Sequence, residues 1–136
     1  MLEIRDFLAI PFKHEGRTFE GADCFGFIRL FYLHVRAIAI PDVVEHYAPD
    51  WAKKGKNYFL ENYHRYFDKF AVPEKYDLVF FYDKRGVVDH GGIVLGPGRF
   101  IHMCGDGVMQ DSYNRPQWKK RIAGFYRYRG EKCESE

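Results

Sequence analysis

Val87-Val88-Asp89-His90-Gly91-Gly92-Ile93-Val94-Leu95-Gly96-Pro97-Gly98-Arg99-Phe100-Ile101-His102-Met103 decides the architecture. Two apolar runs of strand length flank Gly96-Pro97-Gly98, a turn cluster, so the stretch reads as an antiparallel hairpin with strands over 87–95 and 99–103. A turn centred on Gly96 sets His90 directly opposite His102. Directly opposed residues project to one face with Cβ atoms roughly 4.5–5.5 Å apart, which makes the two imidazoles neighbours.

Working outward, Asp77-Leu78-Val79-Phe80-Phe81-Tyr82-Asp83 reads as a strand before the hairpin, and 108–111 and 122–128 as two after it. Closely spaced strands with short turns imply an antiparallel sheet. Upstream the period becomes helical. Asp23 is a good N-cap, and Cys24, Phe27 or Ile28, Phe31 and Val35 form an apolar stripe that must stop before Pro41. A second helical stretch is read between Pro41 and Pro73, with Phe59, Tyr63, Tyr66 and Phe70 as its packed face; the alternative use of those rings is an aromatic wall beside a cleft. Residues 1–22 read as a short opening segment and a loop. Helices first and strands after give an α+β domain over 1–129, with a charged tail at 130–136.

Cys24 falls in the first turn of the first long helix, on its buried side. A helix N-terminus and a nearby imidazolium lower a thiol from about 8.5 to roughly 3.5–7.5, and the free Cys24 backbone N–H is a natural oxyanion-hole donor. A thiol with two imidazoles supplies a nucleophile, a base and an orienting group. In this reading His90 takes the Cys24 proton, His102 fixes the tautomer of His90, and Gly91 and Gly92 leave room for the helix end. A zinc site built from Cys24, His90, His102 and Cys104 is the alternative use of the same side chains, but the close ligand pairs of structural zinc sites are missing except for His102-x-Cys104. His14, His34, His46 and His64 have no comparable setting, and neither has Cys133 in the tail.

The bulk properties exclude several classes. A chain of 136 residues makes one domain with a sizeable core. A net charge of +2 is too mild to argue for nucleic acid. The basic group Arg115, Lys119, Lys120, Arg121, Arg127 and Arg129 reads as a solvated edge, with attraction of an anionic wall polymer or a protein partner as its functional alternative. No apolar run reaches membrane-spanning length. The first residues lack a signal-peptide pattern, so the expectation is synthesis in the cytoplasm without a leader. Three widely spaced cysteines suit free thiols.

Asp-Cys-x-Gly opening a helix, then His-x-Gly-Ile-x-Leu-Gly, then a second histidine twelve residues after the first, resembles the NlpC-type papain-like cysteine peptidases of bacterial cell walls. Tyr76-Asp77-Leu78-Val79-Phe80 matches the Gly-Asp-Leu-Val strand of that family. The resemblance implies a papain-like α+β fold with N-terminal helices packed on an antiparallel sheet. It makes Cys24 the nucleophile, His90 the general base and His102 the third residue, and it implies a cysteine endopeptidase that cuts an amide bond in peptidoglycan stem peptides without a cofactor or metal. Phe25 with Gly26-Phe27-Ile28-Arg29-Leu30, and the segment 118–127, resemble phage tail-associated members more closely, which implies tail proteins as partners and a place in a virion. The chain departs from the family at two positions. Phe12 stands where many members have a tyrosine directed at the nucleophile, and Phe25 replaces the usual serine. Phe12, Asp23, Phe25 and Gly91 are the expected substrate-cleft residues. A non-catalytic tail-assembly or scaffold protein that keeps the fold for binding is the rival reading.

Overall fold

The computed structural model describes residues 2–41, 47–49, 51–54 and 58–130. The expected tail beyond residue 130, with Cys133, and also His46, lie outside the described residues. The order is α1 (Ile4–Leu8), β1 (Arg17–Thr18), β2 (Gly21–Ala22), α2 (Cys24–Arg36), a 3₁₀ turn (Trp51–Lys54), α3 (Tyr58–Tyr63), β3 (Phe67–Phe70), β4 (Leu78–Tyr82), β5 (Val88–Gly96), β6 (Arg99–Cys104), β7 (Gly107–Ser112), α4 (Pro116–Lys119) and β8 (Ile122–Tyr128). Six strands form one sheet in the order β3-β8-β4-β5-β6-β7, every pair antiparallel. This is the expected α+β arrangement.

Alternation along the central strands divides the core. Leu78, Phe80, Ile93, Leu95, Ile101 and Met103 project to one face and pack with Phe27, Ile28 and Phe31 of α2. Val79, Phe81, Val94 and Phe100 project to the other, where Tyr113, Phe125 and Trp118 of α4 cover them. Both faces are buried, which explains why β4 reads as a continuous apolar run rather than an alternating one.

α2 begins where the sequence places it. Asp23 has extended geometry and accepts a hydrogen bond from Gly26 N, and the helix ends at Ala37 in a left-handed conformation (φ 55°), four residues before Pro41. The glycine of Asp-Cys-x-Gly has a steric reason. A Cβ on Gly26 would lie 1.9 Å from the carbonyl oxygen of Gly16, where the β1–β2 hairpin crosses the first turn of α2.

Two expectations change. The second helical stretch is short: α3 ends at Tyr63, and 67–70 form β3, paired with β8 through Phe67–Tyr128 and Phe70–Phe125. The pairing satisfies an edge of the sheet, a long-range gain that outweighs the helical spacing of Phe70 with Tyr63 and Tyr66. The hairpin register also differs. β5 and β6 pair as Ile93–Ile101 and Val94–Phe100, with an irregularity before Gly96–Arg99. The turn is Pro97-Gly98, with Gly98 at φ +76°. Continuing that register sets Gly92 opposite His102, and a Cβ on Gly92 would lie 3.0 Å from the His102 Cβ. His90 is therefore diagonal to His102. The slip is two residues, an even number, so both rings still share a face.

Candidate active site

Cys24 is the first residue of α2, half-buried against the core. The fixed start of that helix comes from Asp23, which is 4% exposed and accepts hydrogen bonds from Gly26 N, Glu15 N, Arg17 Nη1 and the Tyr47 hydroxyl. One carboxylate thus ties together the β1–β2 hairpin, the start of α2 and the segment carrying Tyr47. Lys13 N donates to Ala22 O and Ala22 N to Pro11 O, which holds Phe12 alongside the residues preceding Cys24.

His90 lies near the start of β5 and His102 near the end of β6. His90 Nε2 is 2.7 Å from His102 Nδ1. His102 is wholly buried. Trp118 closes over the pair: it stacks on His90 at 5.6 Å between ring centres and meets His102 edge-on at 5.0 Å. Phe81 and Phe100 complete the enclosure. Two further groups touch His102. Cys104 Sγ is 3.2 Å from Nδ1, and Asp111 Oδ2 is 3.7 Å from Nε2.

Cys24 and His90 line one cavity of about 380 Å³. It opens at the end of the sheet and draws on both faces, Met103 from the α2 side and Trp118 from the other. The thiol and the His90 ring share this wall without a hydrogen bond between them among the described contacts, a looseness common in sites without bound substrate. Since Nε2 faces His102, Nδ1 is the His90 nitrogen left for the cavity.

Of the expected cleft residues, Asp23, Phe12 and Phe25 line this cavity. Phe12 is 47% exposed at the rim, whereas Phe25 is buried and stacks on Phe59 at 4.5 Å. Gly91 does not line it. Its α-carbon faces Phe59 and Phe80, and a Cβ there would come within 3.0 Å of both rings. The expected reason for Gly91 and Gly92 is corrected likewise: they admit two rings and strand β6, not the end of α2.

The charge state of the thiol departs from expectation. Burial, reinforced by the charge of Asp23, pushes the Cys24 thiol up, against the backbone N–H groups of Phe25 and Cys24, which favour the thiolate. Burial likewise takes His90 down to about 3 and His102 to about 4, with Asp111 opposing the shift at His102. Both shifts favour a neutral thiol beside neutral imidazoles over a thiolate–imidazolium pair.

Several wall residues carried no sequence motif. Tyr47 and Trp51 wall the cavity beside Phe25, with ring centres 5.1 and 5.5 Å from it. Arg121 reaches the cavity from beyond α4, lies over Trp118, pairs with Asp89 at 3.3 Å and donates to Tyr82 O. The supposed solvated edge is thereby largely engaged: Arg127 grips Asp77 through Nε and Nη2, Arg129 pairs with Asp68, and Arg115 lies 3.7 Å from Asp111. Among the described residues no group of three or more His, Cys, Asp or Glu is placed to hold a metal ion, and no helix is long and apolar enough to cross a membrane.

Comparison with known proteins places this geometry. The family model described as NlpC/P60 matches residues 9–127. The probable peptidoglycan endopeptidase LytE of Bacillus subtilis (strain 168) is 30% identical over 118 residues, which make up 87% of this chain and 30% of that protein. The chain therefore spans under a third of that relative's length. An NlpC/P60 family protein from Bacillus cereus ATCC 10987 superposes with a TM-score of 0.61 at 27% identity, covering 90% of this chain and 36% of that one. A Staphylococcus aureus Mu50 protein described as similar to lipoprotein, NLP/P60 family, superposes at 0.65 with 20% identity over 90% of this chain and 37% of that one. The NlpC/p60 domain of peptidoglycan hydrolase SagA, at 0.56 and 24% identity, is matched over 92% of this chain and 91% of that domain. With the family pattern matched over most of its length and the papain-like α+β arrangement shared with solved members, the chain belongs to the NlpC/P60 family.

Proposed function

We propose that the protein is a cysteine peptidase or amidase that hydrolyses an amide bond in bacterial peptidoglycan stem peptides. The observation carrying this reading is the cavity that holds the thiol at the start of α2 and the imidazole of His90 together, with His102 2.7 Å behind that imidazole. Family membership and the printed name of the Bacillus subtilis relative supply the substrate class.

In this reading the thiol proton leaves as the substrate is attacked. As Sγ attacks the amide carbon, its proton passes to His90 Nδ1, and the charge grows on the substrate oxygen beside the backbone N–H groups at the α2 terminus. His90 then gives the proton to the departing amine and the carbon–nitrogen bond breaks, leaving a thioester. Water adds to the thioester with His90 as base, releasing the acid and the thiol. His102 holds the ring of His90 in place throughout.

Cys24→Ala should abolish release of peptides from purified sacculi and leave the melting temperature within a few degrees of the parent. A variant as active as the parent would refute the assignment. His102→Ala should weaken turnover without eliminating it.

The resemblance of the Phe25–Leu30 and Trp118–Arg127 segments to phage tail-associated members supports a place in a phage or prophage tail, with synthesis in the cytoplasm and other tail proteins as partners. The replacement of polar family side chains by Phe12 and Phe25 at the cavity favours the rival reading, a tail-assembly or scaffold protein that uses the fold for binding. Activity on sacculi that depends on Cys24 decides between them.

A further inference from the structure

His90 can accept a proton on Nδ1 only if its own hydrogen sits on Nε2, directed at His102 Nδ1 2.7 Å away. His102 Nδ1 must then be an acceptor, which leaves the His102 hydrogen on Nε2. The competence of the base is therefore set one ring further back, by whatever fixes the tautomer of His102. Two side chains face that buried ring. Asp111 Oδ2 lies 3.7 Å from Nε2, too far for a good hydrogen bond but close enough for its charge to favour a hydrogen there. Cys104 Sγ lies 3.2 Å from Nδ1 and 3.7 Å from Nε2, and a thiol that can donate or accept suits either tautomer, which leaves the choice to Asp111.

Asp111 is not placed by accident of a mobile side chain. It stands on β7, where Phe100–Asp111 and His102–Met109 are the paired positions, so its side chain shares a face with His102 and lies diagonal to it. Ser112 N donates to its Oδ1 at 3.1 Å, and Arg115 Nη1 approaches that same oxygen at 3.7 Å, leaving Oδ2 toward the imidazole. Apart from these groups, the His102 ring meets His90, Phe100 and Trp118.

We propose that Asp111 is a positioning residue for the reaction: it holds His102 in its Nε2–H tautomer, which in turn holds His90 in its Nε2–H tautomer with Nδ1 open to the Cys24 proton. The mechanistic meaning of this inference rests on the proposed hydrolase, but the tautomers exist whatever the substrate. Two readouts keep the claims separate. Imidazole ¹⁵N chemical shifts at pH 7–8 report which nitrogen carries hydrogen, and the rate of Cys24 carbamidomethylation by iodoacetamide, located by mass spectrometry, reports proton removal from the thiol without any cell-wall substrate.

The parent should show Nε2–H on both His90 and His102. In Asp111→Ala the His102 hydrogen should move toward Nδ1 and the Cys24 reaction should slow by at least roughly tenfold, because a base in the wrong tautomer cannot accept the proton. Asp111→Asn, which keeps the shape of the side chain but not its charge, should show the same tautomer shift and slowing, an effect that damage to packing alone does not produce. His102 carrying its hydrogen on Nδ1 in the parent overturns the proposal even if no variant folds. Unchanged shifts and rates in Asp111→Ala overturn it as well. Inactivity toward sacculi in a protein with the expected tautomers and rates would instead count against the proposed hydrolase.

Discussion

Lowering the pH from 8 to 5 should cost the protein stability through the two histidines of the site. Burial holds His90 near 3 and His102 near 4, against 6.5 for either ring when unfolded. Between those limits the unfolded chain binds protons that the native site refuses, so stability is fully present above about 6.5 and falls as pH drops toward the native values. At pH 5 an unfolded histidine is almost entirely protonated, whereas the native rings remain neutral. The linkage integral then gives about 2 kcal/mol per histidine relative to pH 8, and up to about 4 kcal/mol for the pair, which titrates as a coupled unit across its 2.7 Å contact. For a domain of this size the melting temperature should fall by roughly 10 °C. Urea melts at pH 8, 6.5 and 5 on the parent and on a His90→Asn/His102→Asn double variant isolate the effect, since the two proteins differ only at these rings. The upper limit stays at pH 8 because the raised Cys24 thiol contributes stability that is lost as pH climbs past the unfolded thiol value. A double variant that loses as much stability as the parent between pH 8 and 5 would defeat the assignment of the drop to these rings.

Three substitutions test the scaffold of the site by the same urea melts at neutral pH. Asp23→Ala removes a helix cap of about 0.5–2 kcal/mol and the carboxylate that Arg17 and the Tyr47 hydroxyl share, while Arg17 keeps Gly16 O and Tyr47, so the total loss should be about 2–3 kcal/mol; Asp23→Asn, which keeps a capping oxygen, should lose less. Gly26→Ala should destabilise by more than about 1 kcal/mol despite the better helix propensity of alanine, because the new methyl meets the Gly16 carbonyl and the hairpin must shift. Asp77→Ala should cost about 1–3 kcal/mol, since Asp77 is 2% exposed and takes both Nε and Nη2 of Arg127 as well as Glu74 N, whereas Arg127 keeps Glu74 and Val72 O as partners; a loss below about 1 kcal/mol would show that pair to be idle.

Much of the site was legible because it depends on rules with few alternatives. An N-cap before an apolar stripe fixes where a helix begins, and that alone puts the Cys24 thiol at a helix terminus. Period-two alternation fixes that residues 90 and 102 share a face for any even slip in register, so the histidines meet even though the bulge near Gly96 moved their pairing by two. The misreadings arise where local pattern competes with distant partners. Phe70 continues the spacing of Tyr63 and Tyr66, yet residues 67–70 lie extended because β8 offers them a row of backbone partners that no local pattern records. β1 and β2 are two residues each, too short for any periodicity. Trp118 sits in a basic segment with no pattern that assigns it a partner, and it roofs the histidines. Asp111 and Tyr47 carry no motif at all; the signal available for Asp111 was its same-face position two strands from the hairpin turn.

The enclosure that makes the site recognisable also determines how it must work. Helix-terminus reasoning favours a thiolate at Cys24, because backbone N–H groups and the helix dipole attract negative charge. The structure contains those N–H groups, but it sets against them burial of the sulfur and the nearby Asp23 charge, and burial dominates. On the other side of the cavity, rings of Phe81, Phe100 and Trp118 enclose His102 and pack on His90, which favours the neutral imidazoles. Both shifts oppose a resting thiolate–imidazolium pair, so charge separation has to occur together with attack on the substrate, when the new oxyanion and the departing proton stabilise each other. Several polar groups of the cavity wall are engaged elsewhere: the Tyr47 hydroxyl is turned to Asp23, Arg121 is paired with Asp89, His14 Nε2 meets Tyr47 O, and Phe12 and Phe25 bring no hydroxyl. Removal of the thiol proton then depends on the alignment of His90. That dependence explains why the tautomer of a ring one step removed from the thiol carries so much weight.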